Sequence, residues 1–132
     1  ILVAFLFLTT TAFAPATQAE DGIHPPRWER LGVRKVNYRL DKDEIVVTAA
    51  EGAFTALKVK VKHSGINLHK VTVNYRNGST QSINVRQNVP AGGDSRVLNL
   101  KGNRRIIKKV VFWYDTKNFA RKRGVLELWG RH

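Results

Sequence analysis

The sequence predicts an all-β fold: an antiparallel β-sandwich, Greek-key or jelly-roll-like. Three observations predict it. Turn signals recur roughly every 8–12 residues, the spacing of sandwich strands. Between them lie about eight short runs rich in Val, Ile, Leu and aromatic residues, several alternating apolar with polar. Past the N-terminal segment, no stretch carries the period of an amphipathic helix.

Ile1 to Ala14 is uncharged and consists mostly of Leu, Phe, Val, Ala and Thr, the makeup of the apolar part of a secretory signal. With no Met or basic leader before it, the segment reads as a signal-peptide remnant. Thr17-Gln18-Ala19 offers a small-x-small cleavage site, so residues 1–19 are expected to be removed. The apolar run is shorter than the roughly 20 residues of a spanning helix, so no stable membrane insertion is expected after cleavage. Residues 20–30, with Pro25-Pro26, read as an extended lead-in. Residues 31–132 then make one β-sandwich domain.

Leu31 to Arg39 alternates imperfectly and gives a first strand; Glu44 to Thr48, centred on Ile45-Val46-Val47, gives a second. In the third, Leu57, Val59 and Val61 alternate with Lys58, Lys60 and Lys62, which predicts a half-buried strand with lysines on its wet face. After the His63-Ser64-Gly65 turn, Ile66 and Leu68 keep one phase and Val71, Val73 and Tyr75 the other, so a bulge is expected at His69-Lys70. Arg76-Asn77-Gly78-Ser79 predicts a hairpin with a type I′ turn, and Thr80 to Gln87 the return strand. Ser95 to Leu100 is expected to pair as a hairpin with Arg105–Tyr114. That last run is the densest in β-branched and aromatic residues and reads as the central strand. Alternation puts Ile106, Val110, Phe112 and Tyr114 on one of its faces and Ile107, Val111 and Trp113 on the other. Gly124 to Gly130 closes the chain as a strand.

The chain has 23 Lys and Arg against 10 Asp and Glu, a net charge of +13, and no cysteine. A positive field this strong on a small domain points to anionic polymers or anionic membrane surfaces as neighbours. Export without disulfides fits a bacterial periplasm better than a small animal secreted domain, so the expected location is periplasmic or secreted, in a Gram-negative bacterium.

Several elements together are similar to a family of small exported bacterial all-β domains of unassigned function. They are Trp28-x-x-Leu31-Gly32, Asp41-x-Asp43-x-Ile45-x-Val47, Gly52-x-Phe54-x-x-Leu57, Tyr75-x-Asn77-Gly78, Ser95-Arg96-x-Leu98-x-Leu100-x-Gly102-x-x-Arg105-Ile106, Val110-x-Phe112-x-Tyr114 and Leu126-x-Leu128. The resemblance implies an exported all-β domain and carries no catalytic residue with it.

Enzymatic chemistry finds little support. There is no cysteine nucleophile and no Gly-x-Ser-x-Gly elbow. His63 and His69 flank one turn without the spacing of a metal pair. Asp41, Asp43 and Glu44 are too few for a calcium loop and suit a turn. No catalytic residue, metal or cofactor is therefore expected. The basic features are more informative. Lys58, Lys60 and Lys62 share one strand face, Lys108 and Lys109 flank the apolar part of the central strand, and Arg121, Lys122 and Arg123 form a loop cluster. Trp113, with Lys109 on its face, and Trp129 are candidate stacking platforms. The expectation is a non-enzymatic exported binding domain for an anionic polymer or surface: lipopolysaccharide, anionic lipid, acidic glycan or nucleic acid. The alternative is a neutral-glycan or protein-binding module of the cell envelope that uses exposed aromatics. The sequence names no protein partner.

Overall fold

The computed structural model describes residues 27–36, 42–116 and 123–132. The expected signal remnant, most of the lead-in, and Arg121 and Lys122 lie outside them. Among the described residues nine strands form two antiparallel sheets: β1 (Trp28–Lys35), β2 (Lys42–Val46), β3 (Ala53–Phe54), β4 (Ala56–Lys62), β5 (Ile66–Tyr75), β6 (Thr80–Val89), β7 (Leu98–Asn99), β8 (Arg105–Asp115) and β9 (Val125–Arg131). The first sheet runs β1-β9-β4-β7. The second runs β2-β8-β5-β6, with β3 following β2 along the same edge of β8. Only β5–β6 joins sheet neighbours directly; the other connections cross from one sheet to the other or, at β2–β3, bulge along one edge.

The core lies between the sheets, and strand parity builds it. Leu57, Val59 and Val61 of β4 and Leu126 and Leu128 of β9 meet Val71 and Val73 of β5 and Val110, Phe112 and Tyr114 of β8, all nearly inaccessible to water. The alternation predicted for β4 therefore holds. So does the bulge at His69, where the registers of β5 with both β6 and β8 shift between Leu68 and Lys70. Leu68 and Val71 thereby both point inward despite their odd spacing.

Four expectations are corrected. A second irregularity, opposite Asn74 and Tyr75, sets Lys108 out of the β5–β8 register. Ile107 is consequently buried and Ile106 is 42% exposed, the reverse of the assignment that uninterrupted alternation gives with Val110 inward. The β5–β6 hairpin exists, but Asn77 does not take a positive φ; only Gly78 does, at +92°. Gly78 N–H donates to the Tyr75 carbonyl and Tyr75 N–H to that of Ser79, so a three-residue loop with a glycine bulge replaces the type I′ turn. The Ser95–Leu100 run narrows to β7 and pairs with β4, not with β8. Local alternation announces a strand but not its neighbour. Finally, β1 begins at Trp28, inside the expected lead-in.

The open side of the sandwich, between β7 and β6, is stitched by side chains. The Arg96 guanidinium donates to the carbonyls of Val85 (2.6 Å) and Asn84 (2.8 Å) at the irregular part of β6. Gln87 accepts from Arg96 N–H, and Gln81 accepts from Lys101 N–H while donating to the Asn99 carbonyl. Arg96 thus grips backbone carbonyls on β6.

Gly124 marks the tightest backbone approach at the start of β9. A Cβ there would lie 2.7 Å from the Ser64 carbonyl oxygen, which cannot step aside as a side chain could. Gly124→Ala should therefore cost about 1–3 kcal/mol in a chemical-denaturation experiment; an unchanged midpoint would contradict the close packing.

Candidate functional site

The outer face of the first sheet gathers most of its character from three strands. Parity on β4 turns Lys58, Lys60 and Lys62 outward, about 6.6 Å apart. Because β4 lies inside the sheet, β9 and β1 extend that row into a surface. Register sets Trp28 beside Arg131 and Ala56, Arg30 beside Trp129 and Lys58, Val33 beside Glu127 and Lys60, and Lys35 beside Val125 and Lys62.

The three lysines lean the same way, each towards the preceding row. Lys58 Nζ sits 4.5 Å from the Trp28 ring centroid, Lys60 Nζ 4.4 Å from that of Trp129, and Lys62 Nζ 3.1 Å from Glu127 Oε2. Arg131 approaches Trp28 from its other neighbour at 5.7 Å. The result is a comb of cations laid over two half-buried indoles, where each ammonium gains from the ring's negative face. Its acidic members are few. Glu127 pairs with Lys62 and, at 3.5 Å, with Arg30, while Asp94 reaches Lys58 at 3.7 Å. The five cations Arg30, Lys58, Lys60, Lys62 and Arg131 thus face two carboxylates, and the surface keeps a positive balance.

Glu127 organises the middle of this face. It is only 3% exposed although it points away from the core. Burial pushes its carboxyl group up, but the Trp129 Nε1–H bond (3.0 Å), Lys62 and Arg30 outweigh this and hold it below the ordinary carboxylate range. A depressed folded value stabilises the protein above the unfolded pKa of about 4.3 and is lost as pH falls through the folded one. Glu127→Gln should therefore be about 1–2 kcal/mol less stable at neutral pH. In acid unfolding followed by tryptophan emission, the gap to the parent should narrow as pH falls below the unfolded value of about 4.3 and close once it passes the depressed folded one. Parallel curves across that range would remove Glu127 from this role.

The other expected site residues are placed elsewhere. Trp113 and Lys109 are on the outer face of the second sheet, across the sandwich from the lysine row. Lys70, not Lys109, lies over Trp113 at 4.3 Å, and Lys109 pairs with Glu44 at 3.6 Å. Lys108 is exposed on that same sheet. Arg123 is exposed just before β9, beyond the Lys62 end of the comb; Arg121 and Lys122 lie outside the described residues. Of the residues singled out from the sequence, Lys58, Lys60, Lys62 and Trp129 are brought together. Trp28, Arg30 and Arg131 complete the face without having been singled out. The shared parity of Trp28 and Arg30 was a usable signal, hidden by the prolines before it.

Two carboxyl groups also meet near this end of β1. Glu29 is held low by hydrogen bonds from Glu51 and His132, and Glu51 is raised by sharing the proton with Glu29. A pair in direct contact differs from an acid and base set about 5 Å or more apart across a substrate. His132 Nδ1, against the Ala53 carbonyl at 3.1 Å, and its ring, tilted against Phe54, tie this cluster to the packing of the sandwich.

A family described as a domain of unknown function (DUF2541) matches residues 1–130. No curated protein and no solved structure matches the chain.

Proposed function

We propose, on the premise that the chain belongs to the DUF2541 family and takes no assigned activity from it, that this is a non-enzymatic binding domain for an anionic polymer or surface. The observation that carries the reading is the comb itself: Lys58, Lys60 and Lys62 in one line, with Arg30 and Arg131 beside them, over Trp28 and Trp129. Such a row suits a linear array of phosphates, sulfates or carboxylates, held by many weak contacts with release of counterions. Ligand classes that fit are lipopolysaccharide, anionic lipid headgroups, acidic glycan and nucleic acid. The apolar segment Ile1 to Ala14 supports a periplasmic or secreted setting, in which the first three are at hand.

Recognition of neutral glycan or protein through bare aromatics is the weaker reading. Trp28, Trp129 and Trp113 each carry a lysine ammonium within 4.5 Å of the ring centroid, so each indole already has a cation over one face. Retention on heparin across a salt gradient tests the proposal. Retention should fall steeply with ionic strength, and elution should require salt well above physiological; release at physiological salt would refute it.

A further inference from the structure

Away from the comb, at one end of the second sheet, a shallow pocket of about 380 Å³ opens between the β5–β6 loop and the start of β8. Tyr75, Arg76, Asn77, Arg104, Arg105 and Ile106 line it. Arg76 N–H donates to the Ile106 carbonyl, which fixes the loop against β8. The Arg105 guanidinium is already held in place: its carbon lies 3.7 Å from the Tyr75 ring centroid, and its terminal nitrogens donate to the Lys101 carbonyl (2.8 Å) and Ser79 Oγ (3.1 Å). Those two bonds use two of the five N–H groups a guanidinium carries.

Three arginines therefore converge, and among the described residues none of them has a carboxylate within ion-pair distance. Arg30, Arg34, Lys58, Lys62 and Lys109, by contrast, are each paired with Glu127, Asp43, Asp94 or Glu44. Gathering like charges without a counter-charge is unfavourable, and a bound anion relieves it. The exposed Ile106 beside them adds an apolar wall. We infer that this pocket is a binding site for a phosphate monoester. Its oxygens would sit on the remaining donors of Arg105, Arg76 and Arg104 would close over them, and Ile106 would contact the apolar or ring-bearing body of the same ligand. A tetrahedral group with up to two negative charges matches several forked guanidiniums better than a monoanionic carboxylate does.

The ester could belong to a lipid headgroup or to a small soluble compound. Titrating the ¹⁵N-labelled domain with phenyl phosphate should give saturable shifts at Arg76, Asn77, Arg105 and Ile106, with inorganic phosphate moving the same amides at higher concentration. Arg76→Ala/Arg104→Ala alters two exposed side chains and should weaken phenyl phosphate by about tenfold or more, with a dispersed spectrum showing the fold intact. Lys58→Glu/Lys60→Glu/Lys62→Glu should leave the titration unaltered, which separates this site from the comb. In the Lys58→Glu/Lys60→Glu/Lys62→Glu background, which removes the comb's own attraction to anionic lipid, co-sedimentation with phosphatidic acid vesicles that is lost on adding Arg76→Ala/Arg104→Ala would identify the lipid source. Phenyl phosphate binding without co-sedimentation in that same background would identify the soluble one. No saturable shift at these residues up to about 10 mM, equal binding by the double arginine variant, or loss in the lysine variant would overturn the inference.

Discussion

Replacing Lys58, Lys60 and Lys62 together by glutamate should remove heparin binding at physiological salt. Three contacts of this kind give a slope of log affinity on log salt of about −2.1 to −2.7, or roughly 20–40-fold between 50 and 200 mM. Reversal turns those attractions into repulsions, and a loss of about a thousandfold is expected at roughly tenfold per lost contact. The substituted side chains point off the sheet, so the core is untouched. Lys62→Glu does bring a second carboxylate to the buried Glu127. A Lys58→Gln/Lys60→Gln/Lys62→Gln variant avoids that repulsion and should lose binding to an intermediate degree. Net charge must be separated from its placement. Lys42→Glu/Lys101→Glu/Lys108→Glu alters three exposed residues away from the comb by the same total charge, and should stay retained on the column. Equal elution of the two charge-reversed variants would mean that overall charge, not the first sheet's outer face, binds the polymer.

Phe112→Ala should give the largest stability loss. Phe112 is fully buried, pairs with Asp43 of β2 and Val71 of β5, and belongs to the contiguous core between the sheets. Truncation of a buried Phe costs about 3–5 kcal/mol, a large part of the 5–15 kcal/mol typical of a small domain. The thermal midpoint should fall by roughly 15–25 °C. Val46→Ala, on the neighbouring strand but 60% exposed, should hardly move it. A loss of less than about 5 °C for Phe112→Ala would show that the space between the sheets collapses around the missing ring far better than close packing allows.

What could be read in the sequence follows from what is local. β4 was legible because each residue's neighbours in sequence reveal its face: Leu57, Val59 and Val61 in, Lys58, Lys60 and Lys62 out. The His69 bulge was legible because the apolar phase visibly changes across it. The irregularity at Lys108 was not, since Ile106 and Ile107 are both apolar and either can be the buried one. Pairing was hidden for a different reason. β7 is two residues long and meets β4 some forty positions earlier, a contact that no window of local sequence contains. The candidate site divides the same way. Its lysine row comes from one strand, whereas Trp28, Glu127, Trp129 and Arg131 arrive from the two ends of the chain through register alone.

The grip of Arg96 on Asn84 and Val85 also bears on how copies of this protein behave when crowded. A flanking strand of a sandwich is a template on which an identical molecule can grow another strand. Here an incoming backbone would find a guanidinium already seated on two of the acceptors along β6. If copies gather densely along one polyanion as proposed, growth of a further strand on β6 would be hindered, and they would not join through that edge.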